Sequence, residues 1–196
     1  DWDAVRTADF AVRFLKAKQD NPFFLACGLF RPHLPWYAPR RFFDLYPLAK
    51  IVAPKKLEED LEDVPEAGKR LAAARRSDLD KIEEQGATLR AVQAYLASIS
   101  YADEQLGRML DALESSEYNS NTVIVFWSDH GWHLGEKRHW HKSTLWEEST
   151  RIPLIIAAPK LKPGVCDQPV SLLDLYPTLL DLCGISGNQQ FDGLSL

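Results

Sequence analysis

TVIVFWSDHGWHLGEKRHWHK, Thr122–Lys142, opens on a β-branched, aromatic and apolar run and closes on a polar loop. The first part predicts a buried strand. Two further runs have the same character: PFFLACGLF (Pro22–Phe30) and RIPLIIAAP (Arg151–Pro159). Short continuous apolar runs bounded by breakers suit strands buried on both faces. Between them lie helical patterns. Asp3–Lys18 places Val5, Phe10, Val12, Phe14 and Leu15 at apolar positions. From Leu89 to Leu113, Val92, Tyr95, Leu96, Ile99, Ala102, Leu106, Met109, Leu110 and Leu113 recur at spacings of three and four. VSLLDLYPTLLDLCG predicts a last helix stopped at Gly184, with Pro177 a kink or part of the first turn. Helices alternating with apolar strands predict an α/β layered fold with a mostly parallel sheet. Ligands of such sheets bind beyond the carboxyl ends of strands. Asp129 and His130 stand at one such end, and His33 follows another.

The whole chain narrows the function classes. Its 196 residues suffice for one domain with a real core. A net charge of -5 lacks the basic footprint of a nucleic-acid binder. No apolar run approaches the roughly 20 residues of a membrane span. Three cysteines, Cys27, Cys166 and Cys183, form neither a disulfide framework nor a CxxC pair. RPHLPWYAPRRFFDLYP, with four prolines, predicts an ordered irregular loop, and Lys55–Arg76 a charged surface excursion. Both ends read as cuts through a longer protein.

Four of the five histidines fall within the opening stretch: His130, His133, His139 and His141. Asp129 and His130 together offer a carboxylate and an imidazole, ligands for Ca²⁺ or Mg²⁺ and, with the nitrogen, for Zn²⁺ or Mn²⁺. The competing reading is a turn in which Asp129 caps backbone N–H groups and Gly131 supplies a positive φ. A zinc site built from His130-x-x-His133 and His139-x-His141 lacks the cysteine usual in structural sites. Lys142 can neutralise an anionic ester in its transition state, or be an ordinary solvated lysine. His33 can donate to an anion or protonate a leaving oxygen, or only hydrogen-bond within a packed loop.

Taken in order, FWSDHGWHLGEKRHWHK, RIPLIIAAP, SLLDLYPTLLDLCG, PFFLACGLFRPHLPWYAPRRFFDLYP and SYADEQLGRMLDAL closely resemble the type I sulfatases, and within them the iduronate-2-sulfatase-like branch. The resemblance runs from about Asn21 to Leu196. It implies the α/β/α sandwich of the alkaline phosphatase superfamily and a Ca²⁺ held by acidic residues from two parts of the chain. Asp129 and His130 fall on the second pair of metal ligands, Lys142 on the sulfate-contacting lysine, and His33 on the histidine that meets sulfate or the leaving oxygen. Trp132 falls beside the pocket, where it can stack on a sugar. His133, His139 and His141 match no catalytic position and read as rim residues.

The resemblance also implies a formylglycine nucleophile made from Cys in a C-x-P-S-R motif, and that motif is missing here. Cys27-Gly28-Leu29-Phe30-Arg31 lacks the Pro and Ser. Residues 1–196 are therefore expected to be a partial sulfatase catalytic domain, with the nucleophile and first metal ligands upstream, inactive alone. The implied substrate is a sulfated sugar or polysaccharide, and the implied place of work is outside the cytosol (periplasmic, secreted or lysosomal). Two rivals remain open: a phosphoesterase or phosphonate hydrolase of the same superfamily, and a non-catalytic relative that binds sulfated glycans.

Overall fold

A computed structural model describes residues 2–73, 76–186 and 190–196. In chain order the elements are α1 (Trp2–Lys16), α2 (Arg40–Asp44), α3 (Glu66–Ala73), α4 (Arg76–Glu84), α5 (Thr88–Glu114), β1 (Ile124–Trp127), β2 (His133–Leu134), β3 (Trp140–His141), α6 (Glu147–Thr150), β4 (Leu154–Ala157) and α7 (Leu175–Leu182). They fall into two compact units. The first comprises Asp1–Asn119 and Gly131–Thr150, and the second Ser120–His130 and Arg151–Leu196.

The first unit is built on α1 and α5. The buried stripe of α1 is Ala4, Ala8, Ala11 and Leu15, the spacing of one helical face. Three alanines bring the α1 backbone close to its neighbours, Ala8 and Ala11 clustering with Met109 of α5. Phe10, expected to be apolar core, is 55% exposed. On α5 the expected Val92 and Met109 are buried, while Ile99 and Leu110 face outward. A second cluster, Leu79, Val92, Trp132, Leu134 and Trp140, joins α4 and α5 to the β2–β3 hairpin. The hairpin pairs His133 with His141 and Leu134 with Trp140.

Residues 22–30 are extended but pair with no strand among the described residues. Leu25, Cys27 and Leu29 pack on α1 and α5, whereas Phe24 and Phe30 are exposed. This corrects the expectation of a strand buried on both faces: among the described residues a helical layer covers one face only. The stretch 55–76 also differs from a plain surface excursion. It carries α3, whose Ala72 is buried, while residues 74–75 lie outside the described residues.

In the second unit β1 pairs with β4 from Ile124↔Ala157 to Trp127↔Leu154. The α/β class stands, and the two ladders among the described residues of this partial domain are antiparallel. An apolar run encodes burial, and strand direction depends on a distant partner. β4 also alternates, with Ile155 exposed between half-buried Leu154 and Ile156. The last helix forms as expected. Ser171 accepts from the Leu173 N–H and Asp174 accepts from the Ser171 N–H, a reciprocal cap on the turn leading into α7. Pro177 is the third residue of α7, where its missing N–H costs nothing. Gly184 stops the helix at φ 65°.

Candidate active site

The expected site residues divide between the units: Asp129 and His130 belong to the second, His33, Trp132 and Lys142 to the first. In the second unit, β1 ends at Trp127, and Ser128 Oγ donates to the His130 carbonyl at 2.8 Å. Asp129 Oδ2 then lies 3.6 Å from His130 Nε2, with the carboxylate exposed and the imidazole mostly covered. Adjacent ligands at about right angles around an ion with 2.3–2.6 Å bonds stand about 3.3–3.7 Å apart. That spacing is compatible with two neighbouring ligand positions. Among the described residues no group of three or more His, Cys, Asp or Glu side chains could hold a metal. The four-histidine zinc cluster does not form, because each of the other three rings is engaged elsewhere.

Gly131 starts the first unit's loop. Its N–H donates to the Ser149 carbonyl at 2.8 Å. A Cβ built there would stand 2.1 Å from the Glu148 carbonyl oxygen. The glycine is needed for close approach to α6, and not for a positive φ as the turn reading supposed.

His33 is held by its own loop. Its Nδ1 lies 2.8 Å from the Leu34 carbonyl, which can only accept, so Nδ1 carries the proton. Nε2 is then the atom that can exchange a proton with a bound ester. Arg31, buried at 5% exposure, donates from Nη1 to the His33 carbonyl and from Nε to the Tyr37 carbonyl. Sequence reasoning passed over Arg31; its one signal was an arginine wedged beside prolines in Arg-Pro-His-Leu-Pro. The His33 ring meets Phe30 at 4.7 Å and the edge of Trp132 at 5.6 Å.

Trp132, expected as a sugar-stacking surface, is packed into the aromatic core with 9% of its surface exposed. Besides His33 it touches Trp36, Tyr95 and His141, the last at 4.7 Å between centroids. Through this indole His33 and the residue preceding Lys142 are anchored to one core. Lys142 itself is half-buried. It sits between two left-handed residues, His141 at φ 83° and Ser143 at φ 76°, a conformation that non-glycine residues adopt at a cost.

The remaining histidines correct the expectation of rim residues. His133 and His139 are fully buried. His133 Nδ1 donates to the Glu136 carbonyl at 3.2 Å, and Nε2 meets the Thr144 hydroxyl at 2.7 Å. Burial first, and the neighbouring His139 second, hold its pKa below the ordinary histidine value of 6.5. His139 lies between the Ala72 and Lys142 carbonyls. His141 Nε2 is 3.3 Å from Asp78 Oδ2 of α4. Cys27 is half-buried, and burial pushes its thiol up, the opposite of what a nucleophile needs.

The family profile described as Sulfatase matches residues 3–185. The chain is 44% identical over 183 residues to a sulfatase of Formosa agariphila, covering 90% of this chain and 35% of that protein. It is 33% identical over 205 residues to iduronate 2-sulfatase of Homo sapiens, covering 84% and 36%. Among solved structures, the phosphonate monoester hydrolase of Silicibacter pomeroyi superposes with a TM-score of 0.83 at 28% identity, over 99% of this chain and 40% of that one. The chain thus spans about a third of the length of the curated relatives it matches. The fold is the alkaline-phosphatase-like α/β fold of these proteins.

Proposed function

This chain belongs to the sulfatase family, and from that premise we propose that it is the C-terminal part of the catalytic domain of a sulfuric ester hydrolase. One observation carries the reading furthest. Within one unit, His33 and the Lys142 loop are braced on the same indole, Trp132, so a proton carrier and a cation are built on one rigid core. Sulfate monoesters hydrolyse slowly because the anionic centre repels nucleophiles and the alkoxide leaves poorly. Lys142 would bind the sulfate oxygens and stabilise charge as it develops. His33, with Nδ1 committed to Leu34, would deliver a proton from Nε2 to the departing oxygen. Trp132 enters as the wall behind His33. Asp129 and His130 would hold a divalent metal, Ca²⁺ in our reading, which offsets substrate charge when bound. The formylglycine nucleophile and the remaining ligands would come from outside this chain.

Sulfated sugars are the substrate class we favour, in line with the iduronate 2-sulfatase match, and the enzyme would work outside the cytosol. No described helix is long and apolar enough to cross a membrane. A second reading, hydrolysis of phosphate or phosphonate monoesters, draws on the likeness to the phosphonate monoester hydrolase. The intact protein, assayed on matched aryl sulfate, aryl phosphate and phosphonate esters, tests the choice. Preference for the sulfate by at least tenfold in kcat/KM supports our reading; preference for either phosphorus ester overturns it.

A further inference from the structure

We propose that His139 is a positioning residue that holds Lys142 in place, and that it does so as a doubly protonated ring. His139 Nδ1 lies 3.1 Å from the Ala72 carbonyl and Nε2 lies 2.9 Å from the Lys142 carbonyl. A carbonyl oxygen can only accept, and a neutral imidazole has a single N–H. A neutral ring would therefore set one nitrogen lone pair against an oxygen at hydrogen-bond distance, in a site with no solvent exposure to relieve it. The imidazolium donates to both.

Ala72 lies in α3, so His139 ties that helix to the Lys142 loop, one nitrogen on each. Its own N–H donates to the Glu136 carbonyl at 3.0 Å, which fixes the ring's approach. A titratable group facing it is His133, edge to face at 5.0 Å. His133 lies between the Glu136 carbonyl and the Thr144 hydroxyl, and that hydroxyl donates its own proton to Ser149 Oγ at 3.0 Å. The clamp has a purpose at this point of the chain, because the residues flanking Lys142 are both left-handed and the conformation needs an external tie.

This inference rests on the role of Lys142 proposed above, and the test separates the two. Nitrogen-15 NMR of the histidine rings at neutral pH should show two N–H protons on His139; a single proton there overturns the inference without any variant. In the intact protein, His139→Gln should lower kcat about tenfold to a hundredfold, the scale of a misplaced catalytic group, with KM nearly unchanged. In a Lys142→Ala background the same substitution should cost less than about twofold, since effects through a shared residue are not additive. An equal loss in both backgrounds overturns the positioning role and leaves Lys142 standing. Unchanged sulfate ester turnover in Lys142→Ala alone would overturn both.

Discussion

Replacing Gly131 by alanine tests whether close approach, and not turn conformation, explains the glycine after the Asp129–His130 pair. The added Cβ would lie 2.1 Å from the Glu148 carbonyl oxygen and 3.0 Å from its carbon. Both atoms are backbone, so no side chain can swing aside. Restoring a tolerable contact requires a shift of about 1 Å. That would stretch the 2.8 Å bond from Gly131 N–H to the Ser149 carbonyl beyond useful range. The lost bond costs about 0.5–1.5 kcal/mol and the overpacking about 1–3 kcal/mol. The stiffer unfolded chain returns about 0.4–1 kcal/mol. The net loss is about 0.5–4 kcal/mol, or about 1–16 °C in Tm for a chain of this size. Gly107 provides the control. It lies inside α5 with no atom within 4 Å of a built Cβ, so Gly107→Ala should stabilise by about 0.5–1 kcal/mol. Thermal melting followed by circular dichroism reads both. If Gly131→Ala melts within about 1 °C of the parent, or the two substitutions move Tm in the same direction, the close-approach argument is wrong.

Three other outcomes follow from the same geometry. His33→Ala should lower kcat about 10²–10⁴-fold on an alkyl sulfate and much less on an aryl sulfate with a good leaving group; equal losses on both would remove the proton-donor role. Asp129→Ala and His130→Ala should each weaken Ca²⁺ activation of the intact protein at least as much as loss of an outer-sphere partner does, about 10–100-fold, and unchanged calcium titrations would exclude them as ligands. His133, whose pKa in the fold lies below 6.5, binds its proton less readily than the unfolded chain does. Stability is therefore complete above about pH 6.5 and falls as pH drops below it. Urea unfolding across pH 5–8 should show this slope, and His133→Gln should flatten it; an undiminished slope in the variant would assign the titration elsewhere.

How much of this was legible before the structure differs by the kind of interaction. α5 was legible almost to its ends, because a three-and-four spacing of apolar residues is a local signal that a helix satisfies by itself. On α1 the helix was legible and its buried face was not. Alanine is a weaker hydrophobic signal than Phe or Leu, yet Ala4, Ala8 and Ala11 form the stripe, since close helix packing selects for small size. The direction of the β1–β4 ladder was beyond reach, because apolar runs carry no information about partner orientation. Asp129, His130, His33 and Lys142 stand out as candidates from residue type and their place after apolar runs. What held them was not legible: Arg31 under His33 and the Glu148 carbonyl against Gly131 are contacts with backbone atoms, which have no sequence signature.

The histidines make the same point from the other side. Four of them in twelve residues, 130 to 141, suggest a single metal-binding purpose, yet the fold gives them four different partners. His130 meets Asp129, His133 a hydroxyl, His139 two carbonyls and His141 a carboxylate on α4. Imidazole is useful here because one side chain can be donor, acceptor or cation as its partner demands. A loop that must hold a lysine between two left-handed residues, with only a two-residue ladder beside it, needs such adaptable ties at several angles. The clustering of histidine then reflects how this loop is kept in shape, and the proposed metal role asks only His130 of the four.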